Sequence, residues 1–254
     1  MKQNLFKKLS PILYPLASIA FMLLVWHLLF VWVGSEFIFP SIGATIGKIG
    51  QHFVSGEFWL ALLATLGRVL LCFAISLVLA IAIGVLAKFV PPVGKVLSPV
   101  VALFRSAPTV AVMVILILLV NPYLSPIIVG FLVVFPMLYA SVMSAIDQVD
   151  AGTVQMCSLY NVPKTHQFKY VYLPTVAPYL LGELPATLSF TVKLIISAEI
   201  LSYSYQSIGG LIQSANVYQD MASLFALTIL SVLVATLLDV ALTFVAKLVK
   251  GGAR

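Results

Sequence analysis

Six apolar stretches, near residues 12–33, 58–87, 96–120, 125–146, 176–203 and 222–246, are each long enough to cross a bilayer as a helix. A hydrocarbon core of roughly 30 Å takes about 20 helical residues, and only helices and closed barrels satisfy every backbone group inside it. The remaining residues could not shield such a chain from water. Hydrophobic residues make up 62% of it and charged ones 9%, whereas charged residues approach about a quarter of a soluble domain. The sequence therefore reads as an all-α membrane protein with about six transmembrane helices, forming a single transmembrane domain over residues 1–254. Soluble-enzyme and nucleic-acid-binding classes drop out.

Charge placement gives an expected direction. With the N-terminus inside, Lys2, Lys7, Lys8, Lys88, Lys95, Lys164, Lys169, Lys247, Lys250 and Arg254 lie on the inner side, and Lys48 alone on the outer. Ten cations against one fix the topology by the positive-inside rule, with both termini cytoplasmic. Residues 34–57 and 204–221 then face outward, 121–124 make a tight outward turn, 88–95 a short inward one, and 147–175 the longest inward loop. The first apolar run exceeds a signal-peptide core and ends at Gly34-Ser35-Glu36 without a convincing cleavage site, so it is expected to stay as a helix. Cys72 lies inside an apolar run and Cys157 in a polar loop, which implies no disulfide.

The inward loop carries the most informative pattern. Thr153 to Tyr160 has helix-compatible spacing, with Val154, Cys157 and Tyr160 on one face, before Asn161-Val162-Pro163 interrupts it. Asn tolerates a left-handed turn and Pro163 can open a following helix, so helix, sharp turn and helix are expected. Read alone, this segment is equally a plain amphipathic connection resting on the membrane surface.

Asp150, then Gln155-Met156-Cys157, Asn161 and Leu173-Pro174 resemble the cytoplasmic coupling loop of ATP-binding-cassette importer permeases. That loop reads Glu-Ala-Ala, three residues, Gly, nine residues, Ile-x-Leu-Pro. The register matches without a gap, although Gln155, Met156, Cys157 and Asn161 replace the family's residues. Thr65-Leu66-Gly67-Arg68, Gly84, Leu97-Ser98-Pro99, Arg105-Ser106-Ala107-Pro108, Ala198-Glu199 and Ile208-Gly209-Gly210-Leu211-Ile212 recur in order and extend the resemblance over nearly the whole chain. These features are similar to the branch serving nitrate, sulfonate, taurine and bicarbonate, with aromatic or thiamine-precursor substrates in some members.

The resemblance implies a type I importer permease fold in a bacterial cytoplasmic membrane and a second permease copy, as a homodimer. It also implies a separate cytoplasmic ATPase subunit holding ATP and Mg, and an extracytoplasmic substrate-binding protein. No cofactor is expected on this chain, which lacks a Gly-x-x-x-x-Gly-Lys phosphate loop. It lacks His-Glu-x-x-His and Gly-x-Ser patterns too, and His27, His52 and His166 are dispersed, so neither a metal nor a hydrolase centre is supported.

Charges at membrane depth usually face a partner or a cavity, and Arg68, Arg105, Glu183, Lys193, Glu199 and Asp239 fall within or beside spans. Arg68 reads as snorkelling or as paired with a carboxylate. Arg105, Ser106 and Pro108 read as a pathway-lining break, because a proline deep in a span frees carbonyls that need partners. Lys193 and Glu199 read either as bundle-holding groups or as residues beside the pathway, and the resemblance favours the pathway. Gly209-Gly210 reads as a flexible turn or a re-entrant segment. Arg105 and Lys193 suit a small anion. An ion-coupled secondary transporter using Glu199, Asp239 or Glu183 is the competing class, though its usual internal repeat is not found.

Overall fold

A computed structural model describes the backbone of residues 2–251 and the side chains of residues 13–248. Arg254 lies outside the described residues, as do the side chains of Lys2, Lys7, Lys8 and Lys250. In chain order the helices are α1 (Lys2–Val33), α2 (Ile42–Val54), α3 (Gly56–Phe89), α4 (Pro91–Ser106), α5 (Thr109–Leu119) and α6 (Ser125–Asp147). There follow α7 (Ala151–Leu159), α8 (Lys164–Gln167), a π-turn (Phe168–Tyr172), α9 (Leu173–Ser202), α10 (Ile208–Val217) and α11 (Met221–Gly251). Helices are the only regular elements among the described residues.

Five segments, within α1, α3, α6, α11 and the continuous stretch Lys164–Ser202, are long and apolar enough to cross a membrane. A sixth crossing exists if α4 and α5 are counted together, but they are bent by 96°. The span expected over 96–120, with its break at Arg105 to Pro108, is thus two helices. Pro108 causes the break. It lacks an N–H, and it holds Ala107 in an extended conformation (φ −66°, ψ 136°). The Leu103 carbonyl beside the break accepts from Ala107 N–H at 3.0 Å and from the Ser106 hydroxyl at 3.0 Å, so the bend leaves it satisfied.

Other expectations need correction. The stretch 34–57, read as loop, contains α2, which Ser41 caps by accepting from Ala44 N–H at 3.2 Å. Leu173-Pro174, placed in a loop reaching residue 175, form the first turn of α9, where a proline's missing donor costs nothing. Gly209-Gly210 occupy the first turn of α10 rather than a flexible turn.

The helices form two compact units, one built from the chain up to Trp59 with Leu211–Leu230, the other from Leu60–Gly210 with the chain from Ser231 on. In the first, Trp26, Phe39 and Phe225 meet edge to face at 5.3–5.8 Å, and the Trp26 indole donates to the Pro40 carbonyl at 3.0 Å. Lys48 pairs with Asp220 at 2.6 Å. Burial raises the Asp220 pKa, but hydrogen bonds from Lys48 and Ser223 outweigh it and hold the carboxyl below its ordinary value.

The second unit is organised on α6 packed along α9. Val129, Val134, Leu138 and Val142 of α6 and Val192 and Ile195 of α9 are completely buried. Close approach needs glycine at two places on this core. A Cβ on Gly84 of α3 would stand 2.6 Å from Val142 Cγ1, and one on Gly130 of α6 would stand 2.7 Å from Ile195 Cδ1. Val142 is β-branched and cannot swing aside cheaply. Gly84→Val should therefore lower the stability of the purified protein by about 2 kcal/mol through overpacking, and Val142→Ala in the same chain should restore much of it. Thermal unfolding in detergent tests this, and an additive double variant would show that the two residues do not meet.

Candidate functional site

Three groups of residues in the second unit carry the chemistry. The first is a polar centre where α3 meets the end of α9. Arg68 Nη1 donates to Glu199 Oε1 at 2.7 Å, and both side chains are buried, at 3% and 0% exposure. The Thr65 hydroxyl, one turn before Arg68, reaches the Glu199 carboxylate at 2.9 Å and accepts from Ile208 N–H at 3.0 Å. Gly209 N–H donates to the same carboxylate at 3.2 Å. The first turn of α10 thereby gives one backbone donor without a partner in the helix, Gly209 N–H, to the buried carboxylate and another, Ile208 N–H, to the Thr65 hydroxyl that bonds it. A Cβ on Gly209 would collide with Glu199 Cβ and stand 2.7 Å from the Ile196 carbonyl oxygen. The Tyr123 ring covers Arg68 at 4.6 Å. Arg68, left open between snorkelling and pairing, is thus paired, and Glu199 is enclosed rather than facing an open space.

In the sequence Thr65, Arg68, Glu199 and Gly209 are separate features with nothing to join them. Arg68 and Glu199 stand 131 positions apart, and no local pattern links such residues.

The second group is the segment Asp150–Pro174. Asp150 caps α7, accepting from Thr153 N–H at 2.7 Å and from the Thr153 hydroxyl at 2.8 Å. The backbone N–H of Thr153 and then its hydroxyl hold the Asp150 carboxyl below its ordinary pKa. At the other end Asn161 adopts φ 52°. Val162 N–H bonds to the Cys157 carbonyl at 2.9 Å and Asn161 N–H to that of Ser158 at 3.2 Å, the paired closure of a left-handed helix stop. Val154 and Cys157 turn inward together, as their spacing indicates, but Tyr160 does not join them and is 79% exposed. Gln155, Met156 and Leu159 are exposed as well, so this short helix presents an apolar tip.

The third group surrounds the bend. Arg105, in the last turn of α4, lines a cavity of about 440 Å³ with Ser98, Tyr139, Ser144 and Asp147. Ser106 and Pro108 are exposed beside it. On α9 the exposed Lys193 and Ser197 lie one turn apart, on the side away from Glu199. The structure therefore does not bring Lys193 and Glu199 together, and Arg105 belongs to neither. Among the described residues no group of three or more His, Cys, Asp and Glu side chains could hold a metal ion.

A buried pair is costly to break from one side, because the survivor is left charged and unpartnered. Arg68→Ala should cost about 3–5 kcal/mol, and the double variant Arg68→Met, Glu199→Leu should cost less than Arg68→Ala alone. Thermal unfolding in detergent reads the order, and the reverse order would mean that the hydrogen bonds Glu199 accepts from Thr65 and Gly209 outweigh its pairing with Arg68.

Comparison with known proteins places the chain in a family. Residues 76–251 match the family described as binding-protein-dependent transport system inner membrane component. The taurine transport system permease protein TauC of Escherichia coli (strain K12) is 22% identical over 166 residues, which cover 65% of this chain and 60% of that protein. Among solved structures, a bacterial ABC transporter involved in import of the acidic polysaccharide alginate superposes with a TM-score of 0.64 at 15% identity, covering 96% of this chain and 98% of that one. The methionine ABC transporter MetNI, in an inward-facing conformation, gives 0.61 at 18% identity, covering 77% and 99%. With the family matched across both the bend-following span α6 and the segment Asp150–Pro174, the chain belongs to the binding-protein-dependent transport system inner membrane components, as a multi-pass protein of the importer permease fold.

Proposed function

We propose that this chain is the membrane-spanning permease subunit of an ATP-driven importer. It works as a homodimer with a separate cytoplasmic ATPase subunit, which holds ATP and Mg, and an extracytoplasmic binding protein. The observation that carries the reading is α7, a short, doubly capped helix with exposed Met156, Leu159 and Tyr160, set between the long helices α6 and α9. Exposed apolar residues clustered on a rigid projection mark a protein-docking surface. The charge asymmetry of the loops supports a cytoplasmic position for this projection and for both termini.

A push on α7 reaches the membrane along two routes. One is the three-residue link back to α6. The other is the left-handed turn at Asn161, then α8 and the π-turn, which run without a break into α9. Closure of the ATPase pair then moves α9, and with it the face bearing Lys193, while the bend at Pro108 repositions Arg105. No covalent chemistry takes place on this chain.

A small anion of the sulfonate, nitrate or taurine type is the substrate we infer. Arg105 and Lys193 are two exposed cations on membrane-embedded helices, where an unpartnered charge is expensive unless a cavity or ligand serves it. The similarity to a taurine transport permease supports the same class.

The test is co-expression with the ATPase subunit. Scrambling residues 153–165 should reduce co-purification by about tenfold or more, a loss of ~1.4 kcal/mol in docking, and association indifferent to the scramble would overturn the assignment. Asn161→Val places a β-branched residue at a left-handed angle, at a cost of about 1–2 kcal/mol, and should uncouple ATP hydrolysis from transport, whereas Asn161→Gly should not. Arg105→Ala should leave the assembly intact and slow anion uptake roughly tenfold or more, because a hydrogen bond to a charged group is worth about 1.5–3 kcal/mol. Loss of assembly would make Arg105 a packing residue, and uptake without the ATPase would favour an ion-coupled carrier.

A further inference from the structure

Away from Arg105, the second unit contains a cleft of about 250 Å³ between α3, α6 and α9. Leu77, Ile81 and Val85 form one wall, Ile146 the back, and Leu180 and Leu184 the other wall. From Leu77 to Lys88 the α3 wall runs 11 residues, or about 17 Å at 1.5 Å per residue. That length is close to one leaflet of a hydrocarbon core of roughly 30 Å. The walls are aliphatic, and Ile81 and Leu173 at the edge of the cleft are 38% and 46% exposed, so it opens sideways rather than closing as a void.

One end of the cleft differs in chemistry. Lys88 is the single charged residue of the lining, and it stands beside Phe89, Phe168 and Tyr172. Lys164 Nζ lies 5.9 Å from the Phe89 ring centre, and Lys169 follows Phe168 directly in the chain. The nearest acid is Asp147, whose Oδ1 is 3.9 Å from Lys88 Nζ and whose side chain is 70% exposed. At that distance no hydrogen bond forms, and the Lys88 ammonium keeps its donors. The π-turn Phe168–Tyr172 supplies two of the aromatic walls here, and a single wide turn of this kind frequently accompanies a site. An apolar slot one leaflet long, ending in a group of lysines at a membrane face, matches a lipid with an anionic headgroup.

We propose that this cleft binds an anionic phospholipid, with one acyl chain between α3 and α9 and the headgroup phosphate on Lys88 and Lys164. The bound lipid would brace α3 against the π-turn, which the Phe89–Tyr172 edge contact at 5.6 Å also joins. The inference rests on the membrane fold alone and does not depend on ATPase docking.

The full chain, purified in detergent, is irradiated with phosphatidylglycerol carrying a diazirine midway along one acyl chain, and the adducts are mapped. They should concentrate in residues 77–89 and 168–184. Unlabelled phosphatidylglycerol should compete about fivefold or more better than phosphatidylcholine, as expected for recognition by lysines near the membrane surface. Ala177→Trp, which fills the cleft, should remove these adducts. Lys88→Gln with Lys164→Gln, both at exposed positions, should keep the labelling but abolish the preference for the anionic lipid. Adducts spread evenly over all spans, equal competition by the two lipids, or capture of a second copy of the chain by Ile81→Cys would each overturn the proposal. The lysine variants keep the test decisive if Ala177→Trp fails to fold.

Discussion

Hydrocarbon offers no partner to a polar group, and the fold depends on how this chain answers its own. Backbone groups are answered inside helices, so the problem moves to helix ends, bends and the few ionised side chains. Three helices stop in the same way. Asn161, Tyr203 and Gln219 take left-handed angles of 52°, 51° and 56°, and the following N–H returns to a carbonyl five residues back at 2.9 Å, 3.1 Å and 2.9 Å. Glycine would adopt that angle with less strain. The non-glycine residues accept a local cost to end each helix without leaving its last carbonyls bare.

The Arg68–Glu199 pair follows from the same constraint at a higher stake. Its geometry makes α10 start where α9 has just ended, since the carboxylate on α9 is also the acceptor for Gly209 N–H. Thr65 completes the arrangement by linking that carboxylate to Ile208 N–H through one hydroxyl. A buried pair of this kind is weak evidence for net stability against an apolar replacement. What it fixes is register. The Tyr203 turn, the loop after it and the glycine at 209 fit only with Glu199 at the position it holds.

The spans were legible in the sequence because length and apolarity are local properties, and so were the Asn161 turn and the Pro108 break, which follow from single residues with restricted backbones. Two helices, α2 and α10, were not recognised. For α2 the signal lies in Ser41 as a cap and in Ile42, Ile46, Ile49 and Phe53 at helical spacing, but in a stretch too short to span, where apolar length alone indicates a loop. The angle of 96° between α4 and α5 could not be read, because Pro108 dictates that the helix breaks and leaves the direction to packing. Contacts as distant in sequence as Arg68 with Glu199 have no periodic signature at all. The six-residue separation of Lys193 and Glu199, by contrast, puts them well apart around the helix axis, about 120° at 3.6 residues per turn, and one is exposed where the other is fully buried.

That separation leaves α9 with one face tied to its neighbours and another that is exposed. Its Glu199 face is tied to α3 and to the start of α10, and its Val192 and Ile195 positions are packed without free space. Among the described residues, the stripe through Lys193 and Ser197 carries only the Ser197 hydroxyl bond to its own helix at 2.8 Å and, one turn earlier, a Ser189 hydroxyl bond to the Ala235 carbonyl of α11 at 3.2 Å. At its other end α9 grows directly out of the π-turn and α8. A displacement entering there cannot be absorbed by a loop, since none intervenes between Lys164 and Ser202. It passes along α9 toward the end anchored at Glu199, and Pro178 and Pro185 inside the helix are where α9 can bend. With the anchor at Glu199, the part of α9 furthest from it is the end nearest α7.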